Sequence, residues 1–333
     1  MSETRHASFT FADFRLQNGE VMPEVTIAYC TRGRLAADGR NAVLVTHGYT
    51  SGHRMIESGA GSSEGSWSTL VGPGAPIDTD RCFVVCSNML GSSYGSTNAA
   101  TRDPRTGRPY GSRFPHITVA DIVTAQRHLL QHLGVKHMRA VVGPSYGGFQ
   151  AFQWAVTFPD DMDGVVPVVS SPRAQSRDRV ATLLARFEQN PNWHGGDYYD
   201  TPGMFDSLLA LRVETLKRYG MNASEAEITR LASVWAKEFD ANSLLILGRA
   251  MESYDVRPEL RRISVPVLYV LSRTDELFPP SLAPGVMASL HDAGVAASYF
   301  EIDSELGHLA SGADASKWAS ALREFMQKVT SRA

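Results

Sequence analysis

Five short apolar runs in the first half of the chain do most to limit its fold. They are VTIAYCT (25–31), NAVLVTH (41–47), CFVVCSN (82–88), RAVVGPS (139–145) and GVVPVVSS (164–171). They are rich in valine and nearly unbroken by polar residues. Strands covered on both faces, as in a parallel sheet, read this way. Helical patterns fall between them. From Thr118 the residues Val119, Ile122, Val123, Leu129, Leu130 and Leu133 keep helical spacing, and Thr118 with Asp121 forms a T-x-x-D capping box. A second helix is expected after Ser145, with Phe149, Phe152 and Val156 on one stripe. Strand, helix, strand in this order predicts an α/β protein with a doubly wound sheet.

The pattern breaks from about 173 to 262, where VATLLARFEQ, SLLALRVETLKRYG and EAEITRLASVWAKEF read as helices and no strand is convincing. Strands resume at VPVLYVLS (265–272) and ASYFEID (297–303), and a last amphipathic helix is expected from about Lys317. The expected organisation is one sheet domain, 1–172 and 263–333, interrupted by a helical lid at 173–262. With 333 residues, 43% of them hydrophobic, the chain can bury a large core. A net charge of -3 and no basic block give no reason to expect nucleic acid or an anionic membrane. The N-terminus lacks a signal-peptide pattern, and no apolar run is long enough to span a bilayer, so a cytoplasmic location is expected. Cys30, Cys82 and Cys86 are expected to be reduced, buried thiols.

A serine nucleophile at a G-x-S-x-G elbow sits on a strand-to-helix turn too tight for side chains at the flanking positions. The pattern occurs three times, centred on Ser63, Ser93 and Ser145. Ser63 lies in a glycine-serine loop with no strand before it. Ser93 follows a strand, but STNAATRDPRTGRPYG after it cannot be a helix. Ser145 alone has both the strand and the helix, and is taken as the nucleophile over a plain N-cap serine. The N–H of Tyr146 at the helix start and that of Tyr49, in the loop after the strand ending at Thr46, are the expected oxyanion donors. His47 comes too early in the chain to be the base and is read as structural.

In such a fold the acid precedes the base, and both follow the nucleophile. His308 lies in a loop directly after the last predicted strand, whereas His291 reads as an exposed helix end. Asp275 follows the strand VPVLYVLS and is preferred to Glu276 and Asp303 as the acid that orients the histidine. The expected class is therefore the α/β-hydrolase fold: a mostly parallel central sheet, helices on both faces and an inserted helical lid. Ser145, Asp275 and His308 are its expected triad.

The stretches LVGPGAPIDTDRCFVVCSNMLGSSYGST, DPRTGRPYGSRFPHITVADIVTAQ, GPSYGGFQAFQWAVTFPDDMD, NPNWHGGDYYD, FDANSLLILGRAMESYDV and RTDELFPP resemble the homoserine O-acetyltransferase family over nearly the whole chain. The resemblance implies the same triad roles and a homodimer joined through the lid. It implies that Arg212 serves the substrate carboxylate. The family typically carries aspartate straight after the catalytic histidine, suited to the amino group of homoserine, and here that position is Leu309. The elbow GPSYGG and the loop HGYTSGHR depart from the family's usual GGSMGG and HALTGDAH.

These departures resemble a related group of esterases, so the expectation is a serine carboxylesterase acting on short-chain, acetyl-type esters through an acyl-enzyme. The alternative is a homoserine O-acetyltransferase using acetyl-CoA by a ping-pong mechanism. A third class, a non-catalytic binding protein on the same fold, stays open because fold does not dictate function. The expected partner is a small-molecule ester; no cofactor or metal is expected, since no metal-ligand motif appears.

Overall fold

The structure, a computed structural model, describes residues 3–59 and 66–330. Ten strands occur among them: β1 Arg5–Arg15, β2 Val21–Arg32, β3 Ala42–Thr46, β4 Val71–Gly72, β5 Ile77–Asp78, β6 Phe83–Ser87, β7 Met138–Pro144, β8 Val165–Val168, β9 Val267–Ser272 and β10 Ala297–Ile302. The helices are α1 Val119–His132, α2 Tyr146–Thr157, α3 Arg179–Phe187, α4 Phe205–Arg218, α5 Glu225–Glu238, α6 Ala241–Glu252, α7 Ala283–Asp292, α8 Ala310–Ala313 and α9 Ala319–Thr330.

Eight strands form one sheet in the order β1-β2-β6-β3-β7-β8-β9-β10. From β6 to β10 every pairing is parallel, and β1 and β2 add an antiparallel edge. The valine runs explain the layering. In β3 all five residues are buried. Leu44 faces one core with Val85, Val141 and Phe152, while Val43 and Val45 face the other with Val142, Val168 and Trp318. Alternate side chains thus enter opposite layers, which only a sheet covered on both faces can satisfy. Helix α9 closes the second layer. Its buried neighbour Trp318 packs edge-on against Trp67, with ring centroids 5.5 Å apart, and donates from Nε1 to the Ser311 carbonyl at 2.9 Å. Truncation of such a tryptophan to alanine costs about 3–5 kcal/mol.

Helix α1 starts where the capping box predicts. Thr118 accepts the Asp121 N–H, and the Asp121 carboxylate accepts the Thr118 N–H at 2.7 Å. The last helix begins two residues later than expected, after a 3-10 turn at Ala315–Lys317. Strand β1 is absent from the sequence-based expectation. It is mostly exposed, and its order comes from pairing with β2 and from Phe9 and Phe11 stacking on His132 and His128 of α1.

Between β8 and β9 the chain adds no strand to the sheet among the described residues and forms α3 to α6 instead. Helices α4 and α5 pack on each other, as do α3 and α6. Helix α6 is buried on nearly every side, from Ala241 through Gly248, because it lies between the other inserted helices and the sheet domain. Cys30, Cys82 and Cys86 are buried free thiols. Among the described residues no helix is long and apolar enough to cross a membrane.

Candidate active site

The elbow at Ser145 is built by contacts that exclude side chains. Ser145 has φ 56 and ψ -119, a left-handed-side conformation that a non-glycine residue adopts only when its surroundings enforce it. A Cβ on Gly143 would lie 2.1 Å from Thr46 Oγ1, one on Gly147 2.3 Å from the Thr46 carbonyl oxygen, and one on Gly148 2.3 Å from Ser170 Cβ. The turn is clamped from both sides. The Ser145 N–H donates to the Val168 carbonyl at 2.8 Å, and Ser170 Oγ donates to the Ser145 carbonyl at 2.7 Å. Ser145 makes no side-chain cap to α2, so the plain N-cap reading does not describe it.

Asp275 and His308 follow β9 and β10, at the same carboxyl-terminal edge of the sheet at which Ser145 follows β7. His308 Nδ1 lies 2.8 Å from Asp275 Oδ2, and both side chains are sealed from solvent. Asp275 Oδ1 accepts the N–H groups of Leu277 and Phe278 at 2.8 and 3.2 Å. Burial by itself would raise this carboxyl, but the His308 imidazole and the two backbone donors outweigh it and hold its pKa below the usual value. Phe278 connects the two halves. Its ring centroid is 5.8 Å from that of Phe149, one turn along α2 from Ser145, and 5.8 Å from the His308 ring.

The competing residues sit elsewhere. Ser93 is buried, and its Oγ accepts the Asp240 N–H at 2.9 Å, a structural use. Ser63 lies outside the described residues. His291 and Glu276 are exposed, and Asp303 is an exposed partner of Arg273. His47 is fully buried. Its Nδ1 bonds the Gly48 carbonyl at 2.9 Å and its Nε2 accepts the Met89 N–H at 3.1 Å, and burial lowers its pKa to about 4. It is a neutral brace for the loop that follows β3.

That loop carries Tyr49, and the structure brings Tyr49 and Tyr146 together, their rings stacked with centroids 6.0 Å apart. Tyr49 donates to the Leu244 carbonyl of α6, and Tyr146 to the Leu247 carbonyl of α6 at 3.2 Å. The helical insertion therefore roofs this loop through both tyrosines. Arg212 on α4 is 2% exposed. It donates from Nη1 to Thr50 Oγ1 at 2.9 Å and lies over the Trp235 ring, while Trp235 Nε1 donates to the Thr50 carbonyl at 3.0 Å. Leu309 is buried beside His308.

Two residues of the roof carry no signal in the sequence. Tyr219 caps α4 and stands against His308, with centroids 4.9 Å apart. Arg179, the first residue of α3, lies 4.6 Å above the Tyr49 ring. Burial pushes the Tyr49 phenol up to about 12, partly offset by this guanidinium. An arginine on an amphipathic helix ordinarily faces solvent, so nothing in the sequence separates Arg179 from its neighbours.

The profile of the alpha/beta hydrolase fold matches residues 41–199, the stretch that carries β3, the elbow and α2. With the sheet order and the elbow, this places the chain in the α/β-hydrolase superfamily. The homoserine O-acetyltransferase of Geobacter metallireducens is 34% identical over 97% of this chain and 96% of its own. That of Moorella thermoacetica is 34% identical over 94% of this chain and 93% of its own. The chain belongs to the homoserine O-acetyltransferase family. Among solved structures, the homoserine O-acetyltransferase of Bacillus anthracis and esterase E22 each superpose with a TM-score of 0.88 at 23% identity. The first match covers 98% of both chains; the second covers 97% of this chain and 100% of the other. At that identity they speak to the fold alone.

These relatives overturn the expectation of a serine carboxylesterase. That expectation rested on departures at single positions, Leu309 above all. The similarity that opposes it runs the length of the chain and is to acetyltransferases.

Proposed function

We propose that this chain transfers an acetyl group from acetyl-CoA to the hydroxyl of homoserine. The observation that carries the reading is the full-length similarity to curated homoserine O-acetyltransferases. The geometry around Ser145 supports it.

In this reading Ser145 Oγ attacks the thioester carbonyl and its proton passes to His308. Asp275 holds the Nδ1–H tautomer of the base and stabilises the imidazolium. The N–H groups of Tyr49 and Tyr146 receive the oxyanion, the latter at the positive end of α2. Collapse expels the thiolate, which takes the proton from His308, and leaves acetyl-Ser145. The homoserine hydroxyl then attacks, again giving its proton to His308. Collapse returns that proton to Ser145 and releases O-acetylhomoserine.

Leu309 does not forbid the acceptor. An ammonium also finds a partner in an aromatic face, and Tyr219 stands against the same imidazole. The dimer implied by the resemblance belongs to this reading too, through the inserted helices, where Val234 of α5 is 53% exposed. A single-chain mass in sedimentation would remove it.

The test is a steady-state assay with acetyl-CoA and L-homoserine, reading free thiol and product mass together. The reading expects homoserine-dependent thiol release in the usual enzymatic range of about 1–10³ s⁻¹, matched mole for mole by O-acetylhomoserine. Thiol release indifferent to homoserine, with acetate as the only acyl product, contradicts it.

A further inference from the structure

Asp275 and His308 reach each other from two separate loops, and one hydroxyl joins those loops one residue before each of them. Asp275 follows β9, and His308 follows β10, the last strand of the sheet order. The acid loop holds itself. The Asp275 N–H donates to the Ser272 carbonyl at 3.1 Å, and Asp275 Oδ1 takes the N–H groups of Leu277 and Phe278. The base loop leaves the sheet at its edge, so other contacts must set where His308 lies.

Thr274 supplies two of them. Its Oγ1 donates to the Ser304 carbonyl at 2.8 Å and accepts the Gly307 N–H at 3.1 Å. A hydroxyl donates one proton and can accept as well, and here the base loop fills both roles. Thr274 precedes Asp275, and Gly307 precedes His308. The tie therefore fixes the span across which Asp275 Oδ2 meets His308 Nδ1 at 2.8 Å. Gly307 has φ 52, and a Cβ there would lie 3.1 Å from the Tyr219 carbonyl oxygen. The turn before His308 is thus held by the inserted helices on one side and by Thr274 on the other. Other ties of the loop are weaker or point elsewhere. Arg273 pairs with Asp303 and Glu305, but those side chains are 85% and 74% exposed, and such pairs contribute little. Ser304 Oγ donates to Asp314 and accepts the Leu306 N–H, which shapes the loop without reaching the acid.

We propose that Thr274 is a positioning residue of the triad, whose hydroxyl holds the His308 imidazole in hydrogen-bonding register with Asp275. This deepens the acyl-transfer reading and rests on its triad. Without the hydroxyl the two loops lose this polar link, and a displacement of about 1 Å at a reacting group costs about 10²-fold in rate.

The test compares Thr274→Val, which keeps the shape and removes the hydroxyl, with Thr274→Ser, which keeps the hydroxyl, and with Arg273→Met, which cuts the exposed ion pairs of the same loop. Two quantities are read in the full chain. The first is the second-order rate at which a fluorophosphonate labels Ser145, a reaction that uses the base but neither acetyl-CoA nor homoserine. The second is the low-field proton resonance of the His308 Nδ1–H in one-dimensional NMR, which reports the bond to Asp275. We expect Thr274→Val to label about 10–100-fold more slowly and to lose the resonance or shift it upfield, with a melting temperature lowered only by the few degrees that loss of one hydrogen bond gives. Thr274→Ser should restore both quantities, and Arg273→Met should change neither. If Thr274→Val does not fold, Thr274→Ala, which admits water to the two freed groups, is read in its place. Unchanged labelling in the hydroxyl-free variant overturns the proposal. So does slow labelling beside an intact resonance, which would make Thr274 a support for the fold alone, and so do equal losses in Arg273→Met. An unaltered chain that neither labels at Ser145 nor shows the resonance removes the triad, and the proposal with it. Neither quantity requires transfer to homoserine, so a failure of the acetyltransferase reading registers separately.

Discussion

Asp275 Oδ2 meets His308 Nδ1 at 2.8 Å, and neither side chain reaches solvent. The other carboxylate oxygen is fixed by two backbone N–H groups, so Asp275→Asn should keep the fold. An asparagine that keeps Oδ1 on those donors turns its NH₂ toward His308, which favours the wrong tautomer. We expect kcat to fall by about 10³–10⁴-fold with an unchanged melting temperature to within a few degrees. Activity within tenfold of the unaltered chain would remove Asp275 from the proposed triad.

The two described elbow serines should separate cleanly. Ser145→Ala should lose about 10³-fold or more in kcat, because it removes the group that carries the acyl. Ser93→Ala deletes the acceptor of the Asp240 N–H and should show as about 1–3 kcal/mol of lost stability, the cost of leaving such a donor unmet. Parallel kinetics and urea unfolding of both variants read this out. A dead Ser93→Ala enzyme beside an active Ser145→Ala enzyme reverses the assignment.

Tyr49→Phe isolates the tie between the loop that follows β3, the proposed oxyanion loop, and the inserted helices. The variant keeps the ring between Arg179 and Tyr146 but removes the hydroxyl that bonds the Leu244 carbonyl, which keeps its partner within α6. The net worth of one such bond is about 0.5–1.5 kcal/mol, so stability should drop by that order. If the loop's position depends on the tie, kcat should fall while KM for homoserine moves little. A change confined to KM would show that the hydroxyl serves substrate contact instead.

The buried histidines predict a pH dependence of stability. The His47 pKa is lowered from 6.5 to about 4. Above pH 6.5 neither state binds the proton. Between 6.5 and 4 only the unfolded chain does, so stability falls as pH drops through this window, and below 4 this group adds no further loss. At about 1.4 kcal/mol per pH unit the full effect is about 3 kcal/mol. His53, lowered to about 3 chiefly by burial, acts in the same direction and extends the loss. Urea unfolding at pH 7, 5.5 and 4.5 should show the decline, with a smaller slope in His47→Gln. Constant stability across the window would mean that neither imidazole stays neutral in the fold.

The sheet was legible because β3, β6, β7, β8 and β9 are covered on both faces and carry that fact as unbroken valine runs. Strand β1 was not, because its side chains are largely exposed and pairing with β2 supplies most of its order. The elbow at Ser145 was legible from its glycines and its strand-helix setting, and Asp275 and His308 from chain order. The helical roof of the site was not. Tyr219 and Arg179 reach the site through the packing of α3, α4 and α6 above the sheet, a tertiary arrangement with no local pattern. Weighing Leu309 without them led to the carboxylesterase expectation that the family relatives correct.

A two-stage single-turnover experiment tests acetyl transfer through Ser145 most directly. The chain is mixed with acetyl-CoA alone, quenched, digested and mapped by mass spectrometry; a second sample receives L-homoserine before the quench. Transfer through Ser145 predicts one added acetyl group on the peptide carrying that residue, and its disappearance on addition of homoserine with an equal amount of O-acetylhomoserine formed. An acetyl group found on another residue, or one that homoserine does not discharge, would contradict it.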